Sequence, residues 1–365
     1  MKYLILVSIN FLLIIQLKAQ SDSTKIEQEK KVKFAIYPAA SYTPETSLSF
    51  GAVAFFVLKN DTTENTENYR PTSFSPYIVY SLRNQLEANI DFDMFLKNGM
   101  NINITTRYFN FPDYFYGTGN NTFSEDEETF TNNAIFLEGS VLKSLNPELF
   151  VGLNFDIRHD ELIDFEENGV LINSDLTGID GGFIAGIGPS IRLDSRDNVL
   201  YPSKGNYFDA SAIFYPDFTS DYAFSILSFD FRKYITLGNE KNILAIQMLT
   251  RLSGGEVPFY KLPKLGGSRR LRGISHANRY IDNNVFYAQA EYRRELFWRF
   301  GGVVFAGFGD VANRVSNYNF NDMKVIFGLG GRFRALKGEK LNARIDLGFT
   351  LGNESGIYFL VRESF

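Results

Sequence analysis

From Phe34 onward, apolar and polar residues exchange places at every second position. In Gln85 to Phe95, Leu86, Ala88, Ile90, Phe92 and Met94 alternate with Gln85, Glu87, Asn89, Asp91 and Asp93. Successive side chains of a strand point to opposite sides, so this period builds one apolar face and one face of carboxylates and amides. The next run sets Asn101, Asn103, Thr105 and Arg107 against Ile102, Ile104 and Thr106. Near the end, Asn342, Arg344 and Asp346 stand opposite Leu341, Ala343, Ile345 and Leu347. The pattern predicts strands over 34–43, 47–58, 72–82, 85–96, 100–110, 131–143, 147–159, 181–194, 205–215, 222–236, 241–253, 284–297, 301–312, 322–334, 339–351 and 356–365. A soluble sandwich alternates as well. Roughly sixteen runs of about ten residues, joined by alternating short and long connections, favour an all-β chain folded as a transmembrane antiparallel β-barrel of about 16 strands.

Long connections fall at 111–130, 160–180 and 254–283, all on one side of such a barrel, and the other side carries short turns except at 59–71. Beyond the first twenty residues no apolar run is long enough for a membrane helix, and a closed barrel is the other structure that satisfies every backbone polar group in lipid. The first residues run from Lys2 through the apolar stretch Leu4 to Leu17, broken by Ser8, Asn10 and Gln16, to Lys18-Ala19-Gln20. That reads as a secretory signal peptide over 1–19, with a retained anchor as the weaker alternative. No cysteine follows to carry a lipid. Residues 20–33 are polar and form a short periplasmic tether, and 34–365 form the barrel of a Gram-negative-type outer membrane.

Composition narrows the chemistry. With 37 Lys+Arg, 42 Asp+Glu and a net charge of −5, the 365 residues lack the basic footprint of a nucleic-acid binder. The 36 Phe and 20 Tyr suit aromatic girdles. Zero cysteines remove disulfides, thiolate metal sites and Cys nucleophiles together. Only His159 and His276 exist, without ligand spacing, and neither a Gly-x-Ser-x-Gly elbow nor a phosphate-binding glycine loop occurs. No catalytic residue, metal site or cofactor is expected. The Glu125-Asp126-Glu127-Glu128 run reads as a solvated loop before a divalent-ion site.

The long connection 254–283 carries Gly266-Gly267-Ser268-Arg269-Arg270-Leu271-Arg272-Gly273-Ile274. Its Leu271-Arg272-Gly273-Ile274 resembles the Leu/Val-Arg-Gly-aromatic motif of the BamA/TamA family of outer-membrane barrels (the bacterial surface antigen family), with Ile274 where an aromatic is usual. The resemblance implies a loop folded back into the lumen, its arginine meeting acids on the two strands that follow. Glu291-Tyr292-Arg293 and Phe308-Gly309-Asp310 match those segments, with Ala312 where the family usually has glycine. Alternation puts Glu291 inward, and on the following strand it sets Val303, Phe305 and Val311 on the lipid side and Asp310 inward, so both carboxylates face the interior. Arg272, Gly273, Glu291 and Asp310 are then a latch; otherwise both acids solvate a wet pore. A guanidinium taken into a crowded lumen needs carboxylates on its planar donor fork.

Two further stretches carry the resemblance. Asp194, Arg196 and Asp197, followed by Pro202 and Gly205, match a periplasmic turn motif of the family, and Pro202 and Gly205 suit a turn. No calcium-loop pattern accompanies the two aspartates. Ile357, Phe359, Val361 and Phe365 resemble the C-terminal signal that the barrel-assembly machinery reads on its clients, Glu363 standing where an apolar residue is usual.

The family implies a role in inserting or translocating protein, or in moving lipid, at the outer membrane. Implied partners are outer-membrane lipids, the barrel-assembly machinery for the chain's own insertion, and envelope proteins as partners or clients. Family members open at the seam between first and last strands, and Pro38 removes one ladder donor from the first. About a dozen residues before the barrel are too few for a POTRA domain, so a short form lacking POTRA domains is expected. Two other functions stay open: a passive small-solute channel, and a structural or interaction subunit of an envelope assembly.

Overall fold

The structure is a computed structural model that describes residues 32–58, 72–96, 98–334 and 341–365. The expected signal peptide, the tether up to residue 31 and the connection 59–71 lie outside the described residues. Sixteen strands follow one another: β1 Val32–Thr43, β2 Ser47–Leu58, β3 Thr72–Ser81, β4 Leu86–Phe95, β5 Met100–Phe115, β6 Glu128–Ser144, β7 Leu149–Ile163, β8 Gly182–Asp194, β9 Gly205–Tyr215, β10 Phe224–Thr236, β11 Asn242–Gly255, β12 Asn284–Phe297, β13 Phe300–Ala312, β14 Lys324–Arg334, β15 Asn342–Thr350 and β16 Ser355–Val361. Each pairs antiparallel with its neighbours in chain order, and β1 meets β16, closing the barrel. No helix among the described residues is long and apolar enough to cross a membrane. The crossing is made by strands.

Alternation located most strand ends to within a few residues. The main departures are β5 to β7, which run further at the ends facing the long connections, to Phe115, from Glu128 and to Ile163, and β16, which stops at Val361. The extra turns of strand have an apolar reason: Phe115 and Phe130 pack edge-on against Phe259 of the β11–β12 connection, with ring centroids 5.8 and 5.5 Å apart.

Register assigns the two faces of the wall. Glu291 lies opposite Phe305, Phe305 opposite Gly328, and Gly328 opposite Gly348. Directly opposed residues share a face, and on this face Glu291, Val303 and Phe305 are buried. Val304, Phe308, Phe327, Leu329, Ile345 and Ile357 on the other face are exposed. Such an apolar band is the lipid-facing surface of a transmembrane barrel.

The β13 phase is therefore the reverse of the expected one: Val303, Phe305 and Val311 lie on the buried face. Asp310, five residues from Phe305 and opposite Phe286, points to the side away from Glu291. Hydrophobicity could not tell the faces of β13 apart, because both are apolar: one meets lipid and the other packs under the β11–β12 connection, where Val303, Phe305 and Val311 cluster with Leu265, Leu271 and Ile274.

Closure is uneven. β1 pairs with β2 without a break from Val32 opposite Leu58 to Thr43 opposite Ser47. Against β16, the described residues of β1 make one register pair, Tyr42 opposite Phe359.

Candidate functional site

Residues 256–283, between β11 and β12, fold back against the buried side of the wall. Leu265, Leu271 and Ile274 are fully buried and join a cluster with Tyr287, Phe305 and Ile326 of β12 to β14. Close approach depends on glycine in the wall. A Cβ on Gly348 would stand 2.4 Å from the carbonyl oxygen of Arg272, and one on Gly307 would stand 2.9 Å from the Leu271 side chain. Within the connection, Gly273 holds φ 130°, open to glycine, and lies against the backbone of Phe349. The Tyr358 hydroxyl donates to the Ile274 carbonyl at 3.0 Å, fixing the turn to β16.

Arg272 sits at the centre of a charged cluster and is 0 % exposed. Its Nη1 donates to Asp346 Oδ2 at 2.9 Å and its Nη2 to Glu291 Oε1, while its guanidinium lies 3.8 Å from the centroid of Phe305. Glu291 also accepts from Arg293 Nε at 2.8 Å. Asp346 accepts from Arg332 Nη1 at 2.6 Å and from Arg344. Arg344 reaches back to the Ser268 carbonyl at 2.7 Å, and Arg332 Nε donates to Glu363 at 2.7 Å. Four guanidiniums thus share three carboxylates. Burying charge without a partner is strongly unfavourable, so each member holds the others in place. The cluster ties residues 268 and 272 to β12, β14 and β15 at once.

The expected latch is met in part. Arg272, Gly273 and Glu291 come together, whereas Asp310 does not reach Arg272. Its Oδ2 accepts the Asn319 backbone amide at 3.2 Å, because the register turns it to the other face. Asp346 of β15 takes the place expected for it. Sequence reasoning missed Asp346, Arg344, Arg332, Arg293 and Glu363 as members. A signal existed, since Arg344 and Asp346 fall on the polar face of β15 and Arg293 on that of β12. Nothing local says which polar residues of a wall meet an arginine 74 positions away.

The Omp85 superfamily domain is the family model that matches the chain, over residues 63–359. The chain belongs to the Omp85 superfamily. As an Omp85 barrel, it has its place in the outer membrane. Among solved structures it is similar to BamA from Haemophilus ducreyi lacking POTRA domains 1-3 (14 % identity, TM-score 0.62), covering 90 % of this chain and 70 % of that one. It is also similar to CdiB from Acinetobacter baumannii (11 %, TM-score 0.57, 91 % of this chain and 60 % of that one). CdiB from Escherichia coli gives 11 % identity and TM-score 0.56, over 92 % of this chain and 63 % of that one. At these identities the likeness is one of fold. The chain spans less than two thirds of either CdiB chain. No curated protein sequence matches it significantly.

Elsewhere in this Omp85 barrel, the β8–β9 turn is closed by the residues expected to build it. Arg196 donates twice to Asp194, at 2.8 Å each, and lies 4.5 Å from the Tyr207 ring centroid. Asp197 accepts the amides of Ser203 and Lys204 at 2.8 and 3.2 Å. Pro202 is buried. Gly205 has φ 105°, and a Cβ there would stand 2.2 Å from the Ser195 carbonyl.

The expected C-terminal pattern divides. Ile357 and Val361 are exposed and Phe359 is half-buried along β16, but Phe365 leaves that phase. Arg362 takes φ 76°, the strand stops at Val361, and Phe365 turns in to pack with Tyr234 and Ala245. Glu363, out of place in an apolar signal, follows the same turn to reach Arg332 and Asn342. Buried cations without enough acceptors draw these residues in.

At its far end the β11–β12 connection meets the β1–β2 turn, where Glu45 accepts the Ala277 backbone amide. Burial pushes the Glu45 carboxyl up to about 7, helped by Asp113 and opposed by the Ala277 amide, Lys264 and Arg270. A carboxyl whose folded value lies above its unfolded one favours folding at low pH, and the benefit is lost as pH rises through about 7. Glu45→Gln keeps the acceptor without the charge. The variant is expected to unfold at a higher temperature than the wild type at pH 8, and the difference should vanish below pH 4.5. Equal unfolding temperatures at pH 8 would show that the carboxyl is not destabilising there.

Proposed function

We propose that this Omp85 barrel admits polypeptide or lipid sideways at the β1–β16 seam, while residues 256–283 stand in the lumen as a plug latched through Arg272, Glu291 and Asp346. The single register pair at the seam carries the reading. Strand pairing is cooperative hydrogen bonding, and a closure with one register pair opens at a smaller free-energy cost than its neighbours. A client strand or an acyl chain meets an unsatisfied edge there, in a lipid setting where such edges have no water to turn to. The plug keeps the wall in shape and blocks the lumen, so opening the seam need not open a wide pore. These features favour the lateral role over a passive channel.

The test uses the absence of native cysteine. Tyr42 and Phe359 stand directly opposite, where Cα atoms of an antiparallel pair are about 4.5–5.5 Å apart, within disulfide reach. A strain lacking the protein is expected to lose particular outer-membrane proteins or to display displaced lipid. The double variant Tyr42→Cys/Phe359→Cys should fail to complement when oxidised and should recover under reductant. An unchanged deletion strain, or full complementation by the locked barrel, removes the lateral reading.

A further inference from the structure

Register fixes the two faces of the wall around the whole barrel, and so fixes where charge meets lipid. Among the described strand residues, the Lys, Arg, Asp and Glu side chains in phase with the lipid-facing Val304 and Phe308 are Lys143, Lys233, Arg294, Glu161 and Asp310. They are sorted by end. Lys143, Lys233 and Arg294 stand within three residues of the short-turn ends of β6, β10 and β12. Glu161 and Asp310 stand near the opposite end, close to the last residues of β7 and β13. Cations at the edge of a lipid-facing surface sit at the level of the phosphates, and here they do so in one leaflet only, the one expected to be periplasmic.

Arg294 is joined there by an aromatic patch. Phe300 and Phe333 are directly opposed on the lipid side, and Phe297 is opposed to Phe300. Ring centroids lie 5.5 Å apart for Phe297 and Phe300, 5.3 Å for Phe300 and Phe333, and 5.8 Å for Trp298 and Phe300. Trp298, the chain's only tryptophan, is 76 % exposed in the β12–β13 turn, and its ring lies 5.4 Å from the Arg299 guanidinium. Rings left exposed at the end of a membrane strand belong where head groups meet acyl chains.

The cations of this rim are in surplus. The side chains of Lys241, Arg294 and Arg299 form no ion pair among the described residues. Glu295 shares a hollow with Lys241, Trp298 and Arg299, but Arg334 takes it. Glu240, on the β10–β11 turn, is exposed and is the other acid at hand. Three cations thus face one unpaired carboxylate.

Positive charge beside exposed rings, at the level of one leaflet, matches an anionic phospholipid. We infer that the β12–β13 rim holds one, its phosphate drawn to Arg294, Arg299 and Lys241 and its acyl chains lying along Phe297, Phe300 and Phe333. A zwitterionic head group brings its own cation and gains less there. The inference does not rest on the seam. Two strands separate this rim from β16, and a barrel with a closed seam would keep it.

The lone tryptophan reports on the site. The full chain is reconstituted in phosphatidylcholine with brominated acyl chains, which quench Trp298, and a small share of that lipid is replaced by an unbrominated one. Phosphatidylglycerol should restore fluorescence with a preference over phosphatidylcholine of about fivefold, the gain from one cation at a membrane surface. Phosphatidylethanolamine should show no preference. Arg294→Gln combined with Arg299→Gln, read against its own fluorescence in unbrominated bilayers, should bring the preference for phosphatidylglycerol close to one. Lys143→Gln, at the same level but remote from Trp298, should leave it unchanged. The compact gel band shows that each variant is folded. Equal restoration by phosphatidylglycerol and phosphatidylcholine, or a wild-type preference in the double variant, overturns the inference. An equal loss in Lys143→Gln overturns it in favour of a diffuse surface potential, and stronger restoration by lipid A than by phosphatidylglycerol overturns it in favour of lipid A.

Discussion

Asp346→Ala is expected to lower the heat resistance of the folded barrel more than any other single substitution in the charged cluster. Its two oxygens accept from Arg272, Arg332 and Arg344, and the three guanidiniums are almost wholly buried. Removing the carboxylate leaves three cations competing for Glu291 and Glu363. Breaking a buried pair in this way costs about 3–5 kcal/mol, because the abandoned charge has no water to return to. Arg272→Ala should cost less. It leaves Glu291 with Arg293 and leaves Asp346 with Arg332 and Arg344, so no acid is stranded. The temperature at which the compact gel band gives way to the unfolded one measures both variants. A larger loss for Arg272→Ala would mean that the cluster is organised around the arginine instead.

Gly348→Ala should dislodge the connection without removing any charge. The added methyl would sit 2.4 Å from the Arg272 carbonyl oxygen. That atom belongs to backbone, which cannot swing aside as a flexible side chain does, so either β15 or residues 266–274 must move. The wall is held by its ladders to β14 and β16. The connection is expected to yield, freeing the backbone around Arg270 and the buried Arg272 for trypsin. Cleavage there within minutes in the variant, and resistance in the wild type, is the expected result. Gly254→Ala, with no atom within 4 Å of its added methyl, is the control. If Gly348→Ala resists trypsin like the control, the wall has absorbed the methyl and the connection is not tightly seated.

The two variants ask different questions of one arrangement. Asp346 tests the charge balance that holds residues 268 and 272, and Gly348 tests the steric fit that lets them approach. Neither is a residue that the chain's local pattern marks out. Asp346 is one polar residue among several on β15, and Gly348 is one of 30 glycines.

Strand periodicity was enough to read the number of strands, most of their ends and the side on which the long connections fall. It works because each strand of a membrane barrel meets two different environments, and residues two apart must suit the same one. Periodicity carries no information where that difference vanishes. In β13, lipid lies on one side and Leu265, Leu271 and Ile274 on the other, both apolar, so the phase of Val303, Phe305 and Asp310 was inverted. The last four residues misled for a related reason. Phe365 reads as one more outward aromatic, yet the unmet demand of Arg332 and Arg293 for acceptors bends the chain at Arg362 and brings Glu363 and Phe365 inside.

The sequence alone determined a barrel of about sixteen strands, the polar inner face of strands such as β4, β5 and β15, and the arginine on its longest connection, since these follow from a period of two and from a short motif. Tertiary structure decided which carboxylates meet that arginine, which face of β13 turns inward and how thinly β1 joins β16. Those depend on inter-strand register and on contacts between residues far apart in the chain, where a displacement of one residue exchanges the two faces of a strand.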